Sequence, residues 1–189
     1  MLVFTNHRVL LLLSLVWLTA SGSTAQDQTL ASHDWPQWRG LNRDAVSQET
    51  GLLTDWPAEG PSAVWRVPGG SGYSTVAVVG WRAFTMLASG DVEYAVCLDA
   101  ASGQEIWRTG IGELLVDNDG ADGPRATPTV DGGSVYAVGA MGGLYALDAA
   151  TGAEHWHVDL RQDYNASMPR YGYSGSPLVE GDLLLIESG

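Results

Sequence analysis

The sequence contains no lysine. All nine basic residues are arginine, set against 22 Asp and Glu, for a formal net charge of -13. Without an ammonium group the chain cannot build a Walker-type phosphate loop, a Schiff base or a Ser-Lys dyad, each of which needs an amine. Its excess negative charge repels phosphate backbones and anionic lipid, which argues against nucleic acid as a partner. Cysteine is almost as scarce. Cys97 stands alone, so the sequence holds no internal disulfide and no Cys-x-x-Cys motif, and this cysteine is too far from the N-terminus to carry a lipid anchor. Long apolar runs are missing as well. The run at residues 9–18 falls well short of the roughly 20 residues that cross a bilayer, so no membrane span is expected.

That short run fits another purpose. His7 and Arg8 precede it and Ser23-Thr24-Ala25 follow it, the order of an export signal. Residues 1–25 are expected to be a signal peptide cleaved after Ala25, which would put the mature chain in the periplasm or outside the cell.

What is present is a repeat. Leu98-Asp99-Ala100-Ala101-Ser102-Gly103-Gln104-Glu105-Ile106-Trp107 returns 49 residues later as Leu147-Asp148-Ala149-Ala150-Thr151-Gly152-Ala153-Glu154-His155-Trp156, with seven of ten positions identical. The same shift carries Pro128 onto Pro177 and Gly132 onto Gly181. Within the unit, short β-rich runs alternate at a period of two and end at turn signals such as Asp131-Gly132-Gly133 and Gly142-Gly143. Four strands per unit, A to D, are predicted near 75–79, 82–87, 92–98 and 104–108, then 126–130, 134–139, 143–147 and 153–158. A third unit starts at Ser176 and stops inside its second strand. The one stretch with a hint of helix is 47–54.

Four short antiparallel strands repeated about every 50 residues describe a propeller blade, because such a sheet cannot bury both faces alone and must stack on its neighbours. The predicted fold is therefore an all-β propeller of four-stranded antiparallel blades, with an incomplete ring. Trp107 and Trp156, on the outer strands, are expected to fill the gaps between blades. Trp65, in Ala63-Val64-Trp65-Arg66, looks like the outer strand of a preceding blade. The expected layout is a signal peptide at 1–25, an N-terminal lead-in at 26–60 and a partial propeller at 61–189, with about two complete blades and parts of two others. Broken blades leave unpaired edges, so the sequence reads as the N-terminal part of a longer propeller.

Ala146-Leu147-Asp148 through Thr151-Gly152 to Trp156 resembles the tryptophan-docking motif of the pyrroloquinoline-quinone-like repeat family, Ala-x-Asp-x-x-Thr-Gly-x-x-x-Trp. The first copy departs from it at Cys97 and Ser102. Residues 34–44, Asp-Trp-Pro-Gln-Trp-Arg-Gly-Leu-Asn-Arg-Asp, and 123–132 are similar to segments of exported bacterial members. The resemblance implies the propeller, with Trp65, Asp99, Gly103, Trp107, Asp148, Gly152 and Trp156 as docking residues. For function it implies two classes, quinone-dependent alcohol or sugar dehydrogenases and non-enzymatic propellers of outer-membrane assembly.

Strand alternation puts the A–B and C–D turns on one face of the ring and the B–C and D–A connections on the other. The D–A connections, 109–125 and 159–175, are the long ones, and long ordered loops tend to carry function. The expected binding face is therefore Tyr73, Arg125, Arg161, Arg170, Tyr171 and Tyr173, supplying planar donors and amphipathic rings for another envelope protein or an anionic small molecule. The competing expectation is that Arg125 and Arg170 merely pair with the acids of the 117–122 loop.

Asp117, Asp119 and Asp122 cluster as weak calcium candidates, but lack the ligands at later positions that a calcium loop uses. His155 and His157 share a strand face without carboxylate or thiolate company, so no metal centre is expected. Tyr171-Gly172-Tyr173-Ser174-Gly175-Ser176 is not a nucleophile elbow, because it leads into a strand and not a helix. The sequence points to a non-catalytic interaction scaffold with no cofactor. The alternative is a quinoprotein dehydrogenase, using pyrroloquinoline quinone (PQQ) with calcium, whose active site lies mostly outside these residues.

Overall fold

The computed structural model describes residues 2–5 and 30–188. Its elements are β1 (Leu2–Thr5), β2 (Ala77–Val79), β3 (Arg82–Ser89), β4 (Val92–Asp99), β5 (Glu105–Glu113), β6 (Thr129–Asp131), β7 (Ser134–Val138), β8 (Gly143–Asp148), β9 (Glu154–Asp159), α1 (Leu160–Tyr164), β10 (Leu178–Glu180) and β11 (Leu183–Ile186). Strands β2 to β5 form one four-stranded antiparallel sheet in sequence order, and β6 to β9 form a second. Strands β10 and β11 start a third, onto whose open edge β1 pairs antiparallel. The expected signal peptide otherwise falls outside the described residues, and no described helix is long and apolar enough to cross a membrane.

The two complete sheets are the predicted blades. In the first, Phe84, Met86, Ala95, Cys97, Trp107 and Ile111 form a buried face that joins one continuous core with Val130, Val135, Ala137, Leu144 and Leu147 of the second. The other face of the first blade, with Leu87, Val96 and Leu98, lines a groove of about 680 Å³ closed on its far side by residues 65–76. Two tryptophans tie blade to turn. Trp107 Nε1 donates to Ala149 O at 3.1 Å and Trp65 Nε1 to Ala100 O at 3.0 Å, each reaching the C–D turn of the blade that follows.

Those turns are built alike. Asp99 Oδ1 accepts the Ser102 N–H at 2.8 Å and the Ser102 hydroxyl at 2.7 Å, and Asp148 Oδ1 accepts the same pair from Thr151 at the same distances. These bonds, led by the hydroxyl, hold both carboxyls below the usual aspartate range. Each turn then needs a left-handed residue: Gly103 and Gly152 both have φ of 72°. A Cβ on either would lie 2.6 Å from the docked tryptophan ring, so the flat ring requires the missing side chain as much as the turn does.

Four expectations change. Residues 47–54 carry no helix; the described helix is α1, capped by the Asp159 carboxylate, which accepts from the Arg161 and Gln162 N–H groups. Trp65 docks without lying in a strand. Strand β5 runs on to Glu113 beyond the expected end at 108, taking up part of the first D–A connection. Strand β6 starts at Thr129 and not at 126, because Thr127 bonds across to its neighbouring blades.

Candidate functional site

The two faces are set by bonds between turns. Ala100 N–H donates to Trp81 O and Ala149 N–H to Gly133 O, joining C–D to A–B turns. Leu114 N–H donates to Asp91 O and Leu160 N–H to Gly142 O, joining D–A to B–C connections at the other end.

On the D–A face the six expected contact residues separate into two groups. Arg125 is pinned. Its Nη2 pairs with Asp117 Oδ2 at 2.7 Å with little of either side chain exposed, and its guanidinium lies 4.8 Å from the Tyr73 ring centroid. The competing expectation of an ion pair within the loop thus holds for Arg125, which is a structural anchor here. Tyr173 is also corrected. It is 2% exposed, its hydroxyl donates to Ser167 O at 2.9 Å, and its ring fills the space left by Gly142. Burial raises its phenol pKa, opposed by Arg161. Tyr73, Arg161, Arg170 and Tyr171 remain exposed. Arg170 sits 5.0 Å from the Tyr171 ring centroid and only 3.8 Å from Asp119 Oδ2, with its side chain 76% exposed, so little holds it down.

The acidic loop spends its carboxylates on itself. Asp117 Oδ1 accepts the Asp119 N–H at 2.9 Å, and Asp122 Oδ1 accepts the Asp117 N–H at 2.8 Å. The Asp119 N–H and then Arg125 pull the Asp117 carboxyl below its usual range. Among the described residues no group of three or more His, Cys, Asp or Glu could hold a metal ion. The calcium that would accompany PQQ finds no ligand set among them. The expectation that the two histidines lack a carboxylate is corrected for His157, which bonds Glu154 at 2.7 Å and stacks on Tyr145 at 5.1 Å.

Three features of this end were not anticipated. Glu93, on the first B–C side, is 0% exposed and accepts from Leu115 N–H at 3.2 Å and from Ala140 N–H of the next blade at 2.8 Å. Desolvation raises its carboxyl, opposed by those two bonds and by Arg125. A belt of hydroxyls links successive innermost strands: Thr75 Oγ1 lies 2.9 Å from Thr127 Oγ1, and the Thr127 N–H donates to Ser176 Oγ at 2.9 Å. Third, residues 159–175 form a braced platform, with α1 capped at one end and Tyr173 fixed below, that exposes Tyr164, Met168 and Tyr171.

Residues 42–189 match the family described as outer membrane protein assembly factor BamB. The protein of that name in Xanthomonas campestris pv. campestris is 34% identical over 83 residues, which are 43% of this chain and 20% of that protein. Among solved structures, the quinohemoprotein alcohol dehydrogenase of Comamonas testosteroni superposes with a TM-score of 0.58 at 19% identity, over 89% of this chain and 25% of that one. The BamB of Moraxella catarrhalis gives a TM-score of 0.37 at 23% identity, over 64% of this chain and 43% of that one. The dehydrogenase likeness shows a shared propeller fold, and the chain spans only a fifth of its curated relative. With the family matched along most of its length and the repeated turn and tryptophan in place, this chain belongs to the BamB-type family of pyrroloquinoline-quinone-like β-propeller repeats.

Proposed function

We propose that this protein is an exported, non-catalytic propeller scaffold that binds another envelope protein through its D–A loop face. The layout that goes with this role is a leader at 1–25, a lead-in at 26–60 and the partial propeller at 61–189. The observation that carries the reading is the braced 159–175 platform, where Arg161, Arg170, Tyr171, Tyr164 and Met168 stand exposed over a loop whose acids cap its own backbone. Tyrosine rings lose little entropy on docking, and tyrosine and arginine are enriched among the side chains that dominate protein interfaces. Membership in a family described as an assembly factor of outer-membrane proteins supports such a partner.

The test pairs two measurements. A photo-crosslinking residue at Tyr171 should capture an outer-membrane assembly component in intact cells, whereas the same residue at Trp81, on the opposite face, should not. Calorimetric titration with PQQ and calcium should show no heat at micromolar protein. Stoichiometric quinone binding, or equal capture from both faces, would overturn the scaffold reading, the former in favour of a quinoprotein dehydrogenase.

A further inference from the structure

The motif at residues 34–44 takes no part in the D–A face. It crosses the other end of the innermost strands. Trp35 pairs antiparallel with Val78 of β2, through Trp35 N–H to Val78 O at 2.7 Å and Val78 N–H to Trp35 O at 2.8 Å. Val130 of β6 then donates its N–H to Pro36 O at 2.8 Å. Farther along, Arg43 Nη2 donates to Val179 O of β10 at 2.7 Å, and its Nη1 reaches Glu180 Oε2 at 2.9 Å. The three valines are equivalent: each is the middle residue of an innermost strand, paired with Ala83, Val135 and Leu184 on the next strand outward. Their bonds to the segment use backbone groups on the channel-facing edge, which a propeller otherwise leaves unpaired.

The segment is held in an improbable shape. The Asp34 carboxylate accepts from the Ala31 N–H at 2.6 Å and from the Gly80 N–H, in the A–B turn, at 2.9 Å. Gly40 packs against the Trp35 ring, where a Cβ would come within 2.7 Å. Arg39, Arg43 and Ala45 have φ of 67°, 61° and 62°, a region that side-chain-bearing residues seldom occupy. Such strain persists only where surrounding bonds over-determine the backbone.

We propose that residues 34–43 are a strap that fixes the first three blades in register and closes the channel mouth on the A–B side. A ligand of the channel then has to arrive from the D–A face. The strap lies three residues below the Thr75, Thr127 and Ser176 belt, which at about 3.3 Å per residue leaves a cup about 10 Å deep.

Amide hydrogen exchange on the full chain tests it. The Val78 and Val130 amides should be as protected as those between β3 and β4; fast exchange at both would overturn the strap. In the double variant Asp34→Ala, Arg43→Ala, exchange at those two amides should rise at least about tenfold while the β3–β4 amides stay slow. No change there would overturn it as well. If the double variant loses all protection together, Arg43→Gln alone provides the same comparison. Direction of access is read with Ser176→Cys and a maleimide, since Cys97 is buried and its thiol is pushed up to about 11. Labelling should be equally fast with and without the strap bonds, and a rate that rises when they are cut would place the route at the A–B mouth.

Discussion

A buried carboxylate between two blades is the most consequential single residue of the structure. Glu93 accepts one N–H from its own D–A loop and one from Ala140 across the blade boundary, and desolvation outweighs those bonds to raise its carboxyl above the usual glutamate range. A raised pKa means the folded state holds its proton more tightly than the unfolded chain does, so stability is greatest below the unfolded value and is lost as pH rises through the folded one. Asp99, Asp117 and Asp148 are shifted the other way and add stability as pH rises, which masks Glu93 in the protein as a whole. The comparison is therefore with Glu93→Gln, which cannot titrate. Measured by urea denaturation, the stability difference between the protein and this variant should shrink as pH goes from 4 to 8, and a difference flat in pH would contradict the assignment. The residue was within reach of sequence reading. Glu93 shares a strand face with Ala95 and Cys97, both buried, and a glutamate in that company announces an inter-blade partner.

At the scale of the element, the repeated turn was legible because its Asp, Ser or Thr and Gly act within a few residues of one another, and the whole motif recurs 49 residues apart. The tryptophan seated on each turn comes from the preceding repeat, a partner that the recurrence of the motif brings into view. Replacing Gly152 with alanine tests the tightest of these positions. A non-glycine residue at φ of 72° is strained by about 1–3 kcal/mol, and its Cβ would meet Trp107 at 2.6 Å, so the loss should exceed the strain alone. Thermal or chemical denaturation should show it, and a Gly152→Ala protein within about 0.5 kcal/mol of the original would mean the ring is not seated there. The elements misjudged from sequence were those set by distant partners. Tyr173 looked like a surface aromatic beside Tyr171, but Gly142, some 30 positions earlier, leaves the hollow that buries it. Arg125, by contrast, pairs with Asp117 only eight residues away, the ion pair within the loop that the sequence offered as the competing expectation. The lead-in motif stood out in sequence, yet its role rests on backbone bonds to two strands and an arginine side chain on a third, all far along the chain.

Across the whole molecule, each blade touches only its neighbours, so stability is a sum of blade terms and inter-blade terms. Between the two complete blades the inter-blade term concentrates on Trp107. It is 7% exposed, rests on Phe84 of its own sheet with ring centroids 6.0 Å apart, and reaches across the boundary to bond Ala149 O, with Thr109 Oγ1 adding a bond to Gly152 O at 2.7 Å. Truncating a buried tryptophan costs about 3–5 kcal/mol. Because much of that loss falls on the boundary, Trp107→Ala should weaken the coupling between the blades more than it weakens either sheet. Unfolding followed by both tryptophan fluorescence and far-ultraviolet circular dichroism should change from one coincident transition to two that no longer coincide. A single, merely earlier transition would mean that the Glu93 bridge, the hydroxyl belt and the strap together carry enough of the boundary to keep the blades cooperative without the tryptophan.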